Sequence, residues 1–353
     1  MANYSFIKPY LITRSIHPEN QETPISFVRP DHIENRLFYR RNHFSYPTLS
    51  SSNYWVPVNG AVQNPLLFSL EDLKQMPSKT INVVLECSGN KRSLFEPKTF
   101  GEQWEKGAIS QGAWTGVPLH TLLDYCGMSE DAKEVVVEGY DQGKRTDTDE
   151  VHPFARSLPV SKALHPDTII AYQYNGQALP FKHGFPFRLI VPEWYAMASV
   201  KWIKQIRVLE SRFRGPFQAK DYMYYPDKET DEGAFPVTTQ NVNSTIQKPV
   251  DRDVLDTGTH AIQGIAWTGE GQITTVEISF DSGNTWDVAR LEKPASSYEW
   301  VPWSYEWNVS EKGTYTIMTK ATDSKGSAQP ETPFWNQKGY GYNAIDQVKV
   351  KVQ

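Results

Sequence analysis

Apolar residues recur along the chain at two periods. In ITTVEISF, Val276, Ile278 and Phe280 alternate with Thr275, Glu277 and Ser279, as a half-buried antiparallel strand requires. In PLHTLLDYCG, Leu119, Leu122, Leu123 and Cys126 fall at i, i+3, i+4 and i+7. That spacing predicts a buried helical stripe ending at Gly127 and places Cys126 in the core. From Arg29 to about Gln240 the runs INVVLE, EVVVEGY, TIIAYQY, FRLIVP and IKQIRVL predict strands, mixed with a few short helical patterns and many Pro and Gly breaks. This half predicts a mixed α+β domain. The polar, aromatic stretch SRFRGPFQAKDYMYYPDKETDEGAFPVTTQ has little periodicity and suits a long ordered connector, which sets a boundary near Gln240. Beyond it come HAIQGIAWTG, ITTVEISF closed by the hairpin signal DSGN, TWDVARL, YTIMTKATDS and QVKVKV. They predict an immunoglobulin-like β-sandwich, without the Cys…Trp…Cys pattern of antibody domains. No repeat of the propeller or solenoid type interrupts this reading.

A chain of 353 residues exceeds the size at which single cores stop growing, so two domains are expected, residues 1–240 and 241–353, each with a core of its own. The content of 39% hydrophobic, 22% charged and 13% aromatic residues marks a folded protein rather than a disordered one. A formal net charge of -5 argues against a nucleic-acid binder or an anionic-membrane binder, so any cationic site has to be concave and local. The longest apolar stretches, such as Leu189 to Pro192, are far short of the roughly 20 residues of a membrane span. Met1 to Pro30 carries scattered charges and no apolar core of a secretory signal, so a cytoplasmic home is expected, or a periplasmic one if a leader was removed. Two cysteines cannot staple a chain of this length, which turns attention to each thiol singly.

The sequence lacks a GxSxG elbow, an HExxH pair, a phosphate loop and a GxGxxG fingerprint, which removes the commonest hydrolase and nicotinamide-enzyme readings. What stands out is INVVLECSGNKRS: a strand ending in Cys87, then Ser88, Gly89 and Asn90, with Lys91 and Arg92 beyond. Two adjacent cations favour the thiolate, the state needed by a nucleophile or a metal ligand, whereas the bland alternative is an inert buried cysteine. Spacing alone leaves nucleophile and ligand both open. Three clusters could hold an anion through charge-assisted hydrogen bonds: Tyr39-Arg40-Arg41-Asn42-His43, His183 to Arg188, and Ser199-Val200-Lys201. Their bland alternative is solvated surface charge.

In order along the chain, RNH at Arg41 to His43, CSGNKRS at Cys87 to Ser93, GAISQGAWTG at Gly107 to Gly116, VEGYD at Val137 to Asp141, NGQALPFKHGFPFRLIVP at Asn175 to Pro192 and SVKW at Ser199 to Trp202 resemble the sulfite oxidase family of molybdenum enzymes. AWTGEGQITTVEISFDSGNTW and PFWNQKG resemble that family's dimerisation domain, so the likeness runs from about Arg36 to Val352. The resemblance implies that Cys87 ligates molybdenum, its soft sulfur complementing a metal already held by the pterin dithiolene. It implies molybdopterin binding by Tyr39, Arg40, Arg41, Asn42, His43, Asp141, His183, Arg188, Ser199, Val200 and Lys201, with Arg41 and Arg92 facing an oxyanion such as sulfite. It also implies a homodimer. Phe154, in FARSLP, stands where the family carries an active-site tyrosine, and Ser304 and Tyr305 fall about where sulfite-oxidising members have another arginine. No His-Pro-Gly-Gly stretch is present, so no haem is expected and electrons pass to an external cytochrome or small acceptor. The expected activity is oxygen-atom transfer oxidising sulfite to sulfate. Sulfoxide or N-oxide reduction is the alternative that Phe154 keeps open. A non-catalytic binding protein using some of its 11 Trp and 18 Tyr residues is a third.

Overall fold

The structure, a computed structural model, describes residues 10–28, 32–49, 54–145 and 147–353. The readings that involve residues 1–9, or place the start of the first domain at Arg29, lie outside the described residues. Among those described, no helix is long and apolar enough to cross a membrane.

The first part is built on two sheets. One runs Gln177–Ala178, Ile169–Tyr174, Ile109–Pro118, Lys79–Glu86, with Arg188–Ile190 also on Ile169–Tyr174, all antiparallel. The other runs Leu66–Phe68, Val56–Gly60, Ile203–Leu209, Glu134–Arg145, Thr148–Pro159, and only the pairing of Val56–Gly60 with Ile203–Leu209 is parallel. The predicted helix forms at Leu119–Cys126, with Leu119, Leu122, Leu123 and Cys126 buried and Gly127 closing it at φ 66°. That left-handed conformation is one glycine adopts at little cost. The helix packs into a cluster that takes Val117 and Ile170 from the first sheet and Val135, Val137, Ile203 and Ile206 from the second.

The second part is a sandwich. Asn243–Lys248, Gly258–Trp267, Val301–Val309 and Arg290–Leu291 form one sheet. Val254–Leu255, Asp346–Val352, Gly313–Asp323, Ile273–Ser279 and Asp287–Val288 form the other. Val276 and Ile278 point into the core between them, as the alternation requires. TWDVARL divides: Asp287–Val288 pairs with Ile273–Ser279, and Arg290–Leu291 crosses to pair with Val301–Val309.

Each part carries a buried cluster built almost wholly from its own residues. A third cluster joins Val83, Val84 and Leu85 of the first sheet to Ile265, Trp267 and Trp300 of the sandwich. Large aromatic residues at the ends of sandwich strands would otherwise expose apolar area, and the first sheet covers it. The same seam carries buried polar contacts. Trp267 Nε1 donates to Glu86 Oε2 at 2.8 Å, and Gln240 Nε2 donates to the Val84 carbonyl at 3.2 Å. Trp300 N donates to Gln111 Oε1 at 2.7 Å. The connector is shaped too, with a single wide turn at Phe217–Asp221 and a short pairing of Met223–Tyr224 with Phe235–Pro236.

Trp267→Phe keeps the apolar ring and removes the donor to a buried carboxyl. We expect a loss of about 1–3 kcal/mol in the free energy of urea unfolding, measured with the m-value held equal.

Candidate functional site

The strand Lys79–Glu86 ends by presenting Cys87, 7% exposed, to a cleft of about 620 Å³ including the space that opens to solvent. The following turn is closed by Asn90 N donating to the Cys87 carbonyl at 2.8 Å and Arg92 N donating to the Gly89 carbonyl at 3.0 Å. A Cβ at Gly89 would come within 2.5 Å of the Arg92 guanidinium, which would have to leave its present place. Glu86 turns away from the cleft and accepts from Trp267 and, at 3.1 Å, from Asn90 Nδ2.

The structure brings most of the anticipated side chains to this one cleft. Tyr39, Arg40, Arg41 and His43 line it from the first cluster, Asp141 and Phe154 from neighbouring strands, and His183, Arg188, Ser199 and Lys201 from the other two clusters. Phe38, Ser88, Ala196, Met197 and Tyr222 complete the wall and were not anticipated. Phe38 and Ser88 adjoin residues already singled out. Tyr222 does not, and its only signal was the aromatic richness of DYMYY in the connector.

Three anticipated residues stand behind the wall, not on it. Asn42 is 3% exposed, and its Nδ2 donates to the Glu19 carbonyl at 2.7 Å. Its Oδ1 accepts from Lys201 Nζ, which also reaches the Arg41 carbonyl at 3.1 Å, so Asn42 positions a cation that lines the cleft. Val200 has both backbone groups committed, its N–H to Ala198 and its carbonyl to Leu189. Arg92 lies behind Gly89, donating to the Lys338 carbonyl at 2.9 Å and the Glu102 carbonyl at 3.0 Å, with its guanidinium 5.1 Å from the centre of Tyr340. Ser304 and Tyr305 are farther away, on a sandwich strand, where the Tyr305 hydroxyl donates to Asp287.

The expected source of thiolate also changes. Lys91 is wholly buried and turns from Cys87 into the seam, donating to Asn243 Oδ1 at 2.8 Å and the Ser244 carbonyl at 2.7 Å, with Asp346 3.6 Å away. Burial pushes the Cys87 thiol up, and this outweighs Arg41, Arg92 and the Gly89 N–H, which pull it down. The unliganded sulfur is a thiol that needs a cation in contact to ionise.

Several groups in the cleft are held short of partners. Asp141 Oδ1, Ser88 Oγ and Arg188 Nε are buried and bond to nothing among the described residues. Burial raises the Asp141 carboxyl and lowers the Lys201 ammonium. Arg188, with one hydrogen bond to the His183 carbonyl at 3.3 Å, lies 5.2 Å from the centre of Trp114 and is pulled down by burial to about 10, still a cation at neutral pH. A ligand with both an anionic group and ring N–H donors would satisfy this set.

His43 and His183 are driven well below the ordinary histidine value by burial first and by the surrounding cations second. Both are neutral at pH 7. A histidine whose folded pKa is depressed adds stability that is complete above the unfolded value of 6.5 and is lost as pH falls below it, because only the unfolded chain takes up the proton. Each histidine contributes up to about 1.4 kcal/mol per pH unit to this loss between pH 6.5 and 5. The raised Glu86 and Asp141 carboxyls oppose it by taking up protons in the folded state, so the histidine part is read as a difference between variants. Calorimetry of His183→Gln across the same range should show a shallower slope.

Comparison with known proteins gives the cleft a family. Residues 43–217 match the oxidoreductase molybdopterin-binding domain, and residues 235–353 match the Mo-co oxidoreductase dimerisation domain. Mitochondrial sulfite oxidase of Rattus norvegicus is 33% identical over 365 residues, covering 98% of this chain and 66% of the rat protein, so the chain spans about two thirds of that relative's length. Sulfite oxidase of Gallus gallus is 31% identical, covering 94% of this chain and 76% of the chicken protein. The crystal structure of the sulfane dehydrogenase SoxCD from Paracoccus pantotrophus superposes with a TM-score of 0.83 at 25% identity, over all of this chain and 92% of that one. With both domain matches in order and a relative above 30% identity across most of both chains, the protein belongs to the sulfite oxidase family of molybdenum-cofactor oxidoreductases.

Proposed function

We propose that the protein oxidises sulfite to sulfate at a molybdenum cofactor bound in the cleft, with Cys87 as the metal's protein ligand. One observation carries this: a thiol, the cations Arg40, Arg41, Arg188 and Lys201, and a carboxylate with one unpartnered oxygen converge on a single cleft in an otherwise acidic protein. The donor set suits the cofactor. Arg188 and Lys201 match its phosphate, Asp141 and Ser88 match ring N–H groups, and the Cys87 sulfur matches a soft metal. When bound, the cofactor supplies two-electron oxygen-atom transfer, which no side chain performs.

The chain's own residues do the rest. Arg41 offsets the desolvation of an anionic substrate, since fixed positive charge replaces lost water. Asn42 holds Lys201, and Gly89 lets the Cys87 turn lie flat against Arg92. Sulfite and water yield sulfate, two protons and two electrons, and the electrons leave to an external cytochrome or small acceptor. In this reading residues 1–240 bind the cofactor and residues 241–353 pair two copies into a homodimer. The two free thiols suit a reducing compartment such as the cytoplasm.

Reduction of a sulfoxide or N-oxide on the same scaffold is the second reading. Phe154, stacked on His43 at 5.2 Å and beside Phe217 at 4.9 Å, gives part of the wall an apolar surface suited to a neutral substrate. Assays of sulfite with ferricyanide and of methionine sulfoxide with a reduced dye separate the two. We expect about one molybdenum per chain and turnover of sulfite. A metal-free protein from a cofactor-competent host would instead support a binding role. In Cys87→Ser we expect the fold to persist while turnover falls by more than the roughly 100-fold that loss of an outer-shell partner costs.

A further inference from the structure

Phe154 leaves the cleft without a hydroxyl on the strand where the family resemblance calls for one. A phenol faces the same space from a different part of the chain. Tyr222 follows the turn Phe217–Asp221, is 4% exposed, and lines the cleft with His43 and Phe154. Its ring meets Phe154 edge-on, 6.5 Å between centroids at 89°, and stacks on Tyr340 at 5.4 Å and 24°. The Arg156 guanidinium lies 5.1 Å from the centre of the Tyr222 ring. Packed by all three, the phenol is held in one place, close enough to Arg41 and Cys87 for both to act on its charge.

Its polar end meets His43. The Tyr222 oxygen is 2.7 Å from His43 Nε2. Arg41 can only donate, and its Nη2 approaches His43 Nδ1 at 3.2 Å, nearer than the 3.5 Å to Nε2. Both distances place Nη2 beside the ring and off either nitrogen's lone-pair axis, so Arg41 does not select the tautomer. With its hydrogen on Nε2, His43 donates to the Tyr222 oxygen, and the phenol's own hydrogen is then free for the cleft. Burial keeps that hydrogen in place by raising the phenol above the ordinary tyrosine value.

We propose that Tyr222 donates a hydrogen bond to a sulfur-bound oxygen of the substrate, occupying the role vacated at position 154. The proposal rests on the cleft being the site of an oxygen-bearing sulfur substrate, and its test is chosen so that the two can fail separately. The measurements are the sulfate dissociation constant by calorimetry and KM and kcat for sulfite, on cofactor-loaded wild type, Tyr222→Phe and the double variant Phe154→Tyr/Tyr222→Phe. Molybdenum per chain is measured on each.

We expect Tyr222→Phe to weaken sulfate binding and raise the sulfite KM together by about 10- to 100-fold at unchanged molybdenum content, the worth of a hydrogen bond to a charged group. The double variant should regain most of that loss, because it returns a hydroxyl to the same wall without restoring the His43 contact. Sulfate binding and KM left at wild-type values in Tyr222→Phe would overturn the proposal, and so would a double variant as impaired as the single. If wild type neither oxidises sulfite nor binds sulfate, the sulfite reading fails on its own. The same variants are then compared on the KM for methionine sulfoxide, where a matching loss supports Tyr222 and an unchanged value refutes it.

Discussion

The site depends on a buried carboxyl that belongs to neither the substrate nor the metal. Glu86 sits at the end of the outermost strand of its sheet, one residue before Cys87, and is raised by burial while Trp267 of the sandwich and Asn90 of the next turn donate to it. Those two contacts fix the direction in which the chain leaves the strand. Lys91 then anchors the far end of the turn to Asn243 and Ser244. The second part of the chain therefore acts on the chemistry at one remove, by holding both ends of a five-residue loop. A buried lysine or carboxyl left without such partners would be expensive, so seam and loop stabilise each other.

Gathering cations into a narrow cleft has consequences for each titratable group there. Arg40 is balanced by Glu19 at 3.1 Å and by Gln21, and Lys201 is fixed by Asn42 and the Arg41 carbonyl, yet Arg188 keeps an unsatisfied nitrogen. Burial, with the positive field adding to it, holds His43 and His183 neutral. The field does not hold Cys87 ionised, because desolvation of a thiolate outweighs cations that stand at a distance. A field of this kind is complementary to an anion, and an anionic ligand would relieve it.

The periodic elements were legible because burial enforces periodicity. The stripe Leu119 to Cys126 and the alternation through Val276 and Ile278 each have one apolar face to hide, and each forms as read. Cys87, Arg41, His43, Asp141 and Arg188 were legible from motif order. Lys91 was misjudged because neighbours in sequence diverge at a turn: its left-handed φ of 62° turns its side chain into the seam. Ser304 and Tyr305 lie on a sandwich strand and do not line the cleft. Tyr222 was hidden for a different reason. It lies in an aperiodic segment whose path back over the cleft is set by tertiary packing, through Arg156 bonding the Phe217 carbonyl and Arg145 pairing with Asp221.

That packing links the Phe154 change to Tyr222. Phe154, His43, Phe217 and Tyr222 form one ring cluster, with centroid separations of 4.8 Å between His43 and Phe217 and 5.7 Å between His43 and Tyr222. Arg145 and Arg156 cover its outer faces. A hydroxyl added at 154 would need a partner of its own, which an oxygen-bearing ligand in the cleft would supply. Phe154 has no such need, while the polar end of Tyr222 is already met by His43. The cluster thus separates two demands on the wall, apolar contact from one ring and hydrogen bonding from another. Whatever enters the cleft meets both, with its charge facing Arg41 and its less polar flank against Phe154.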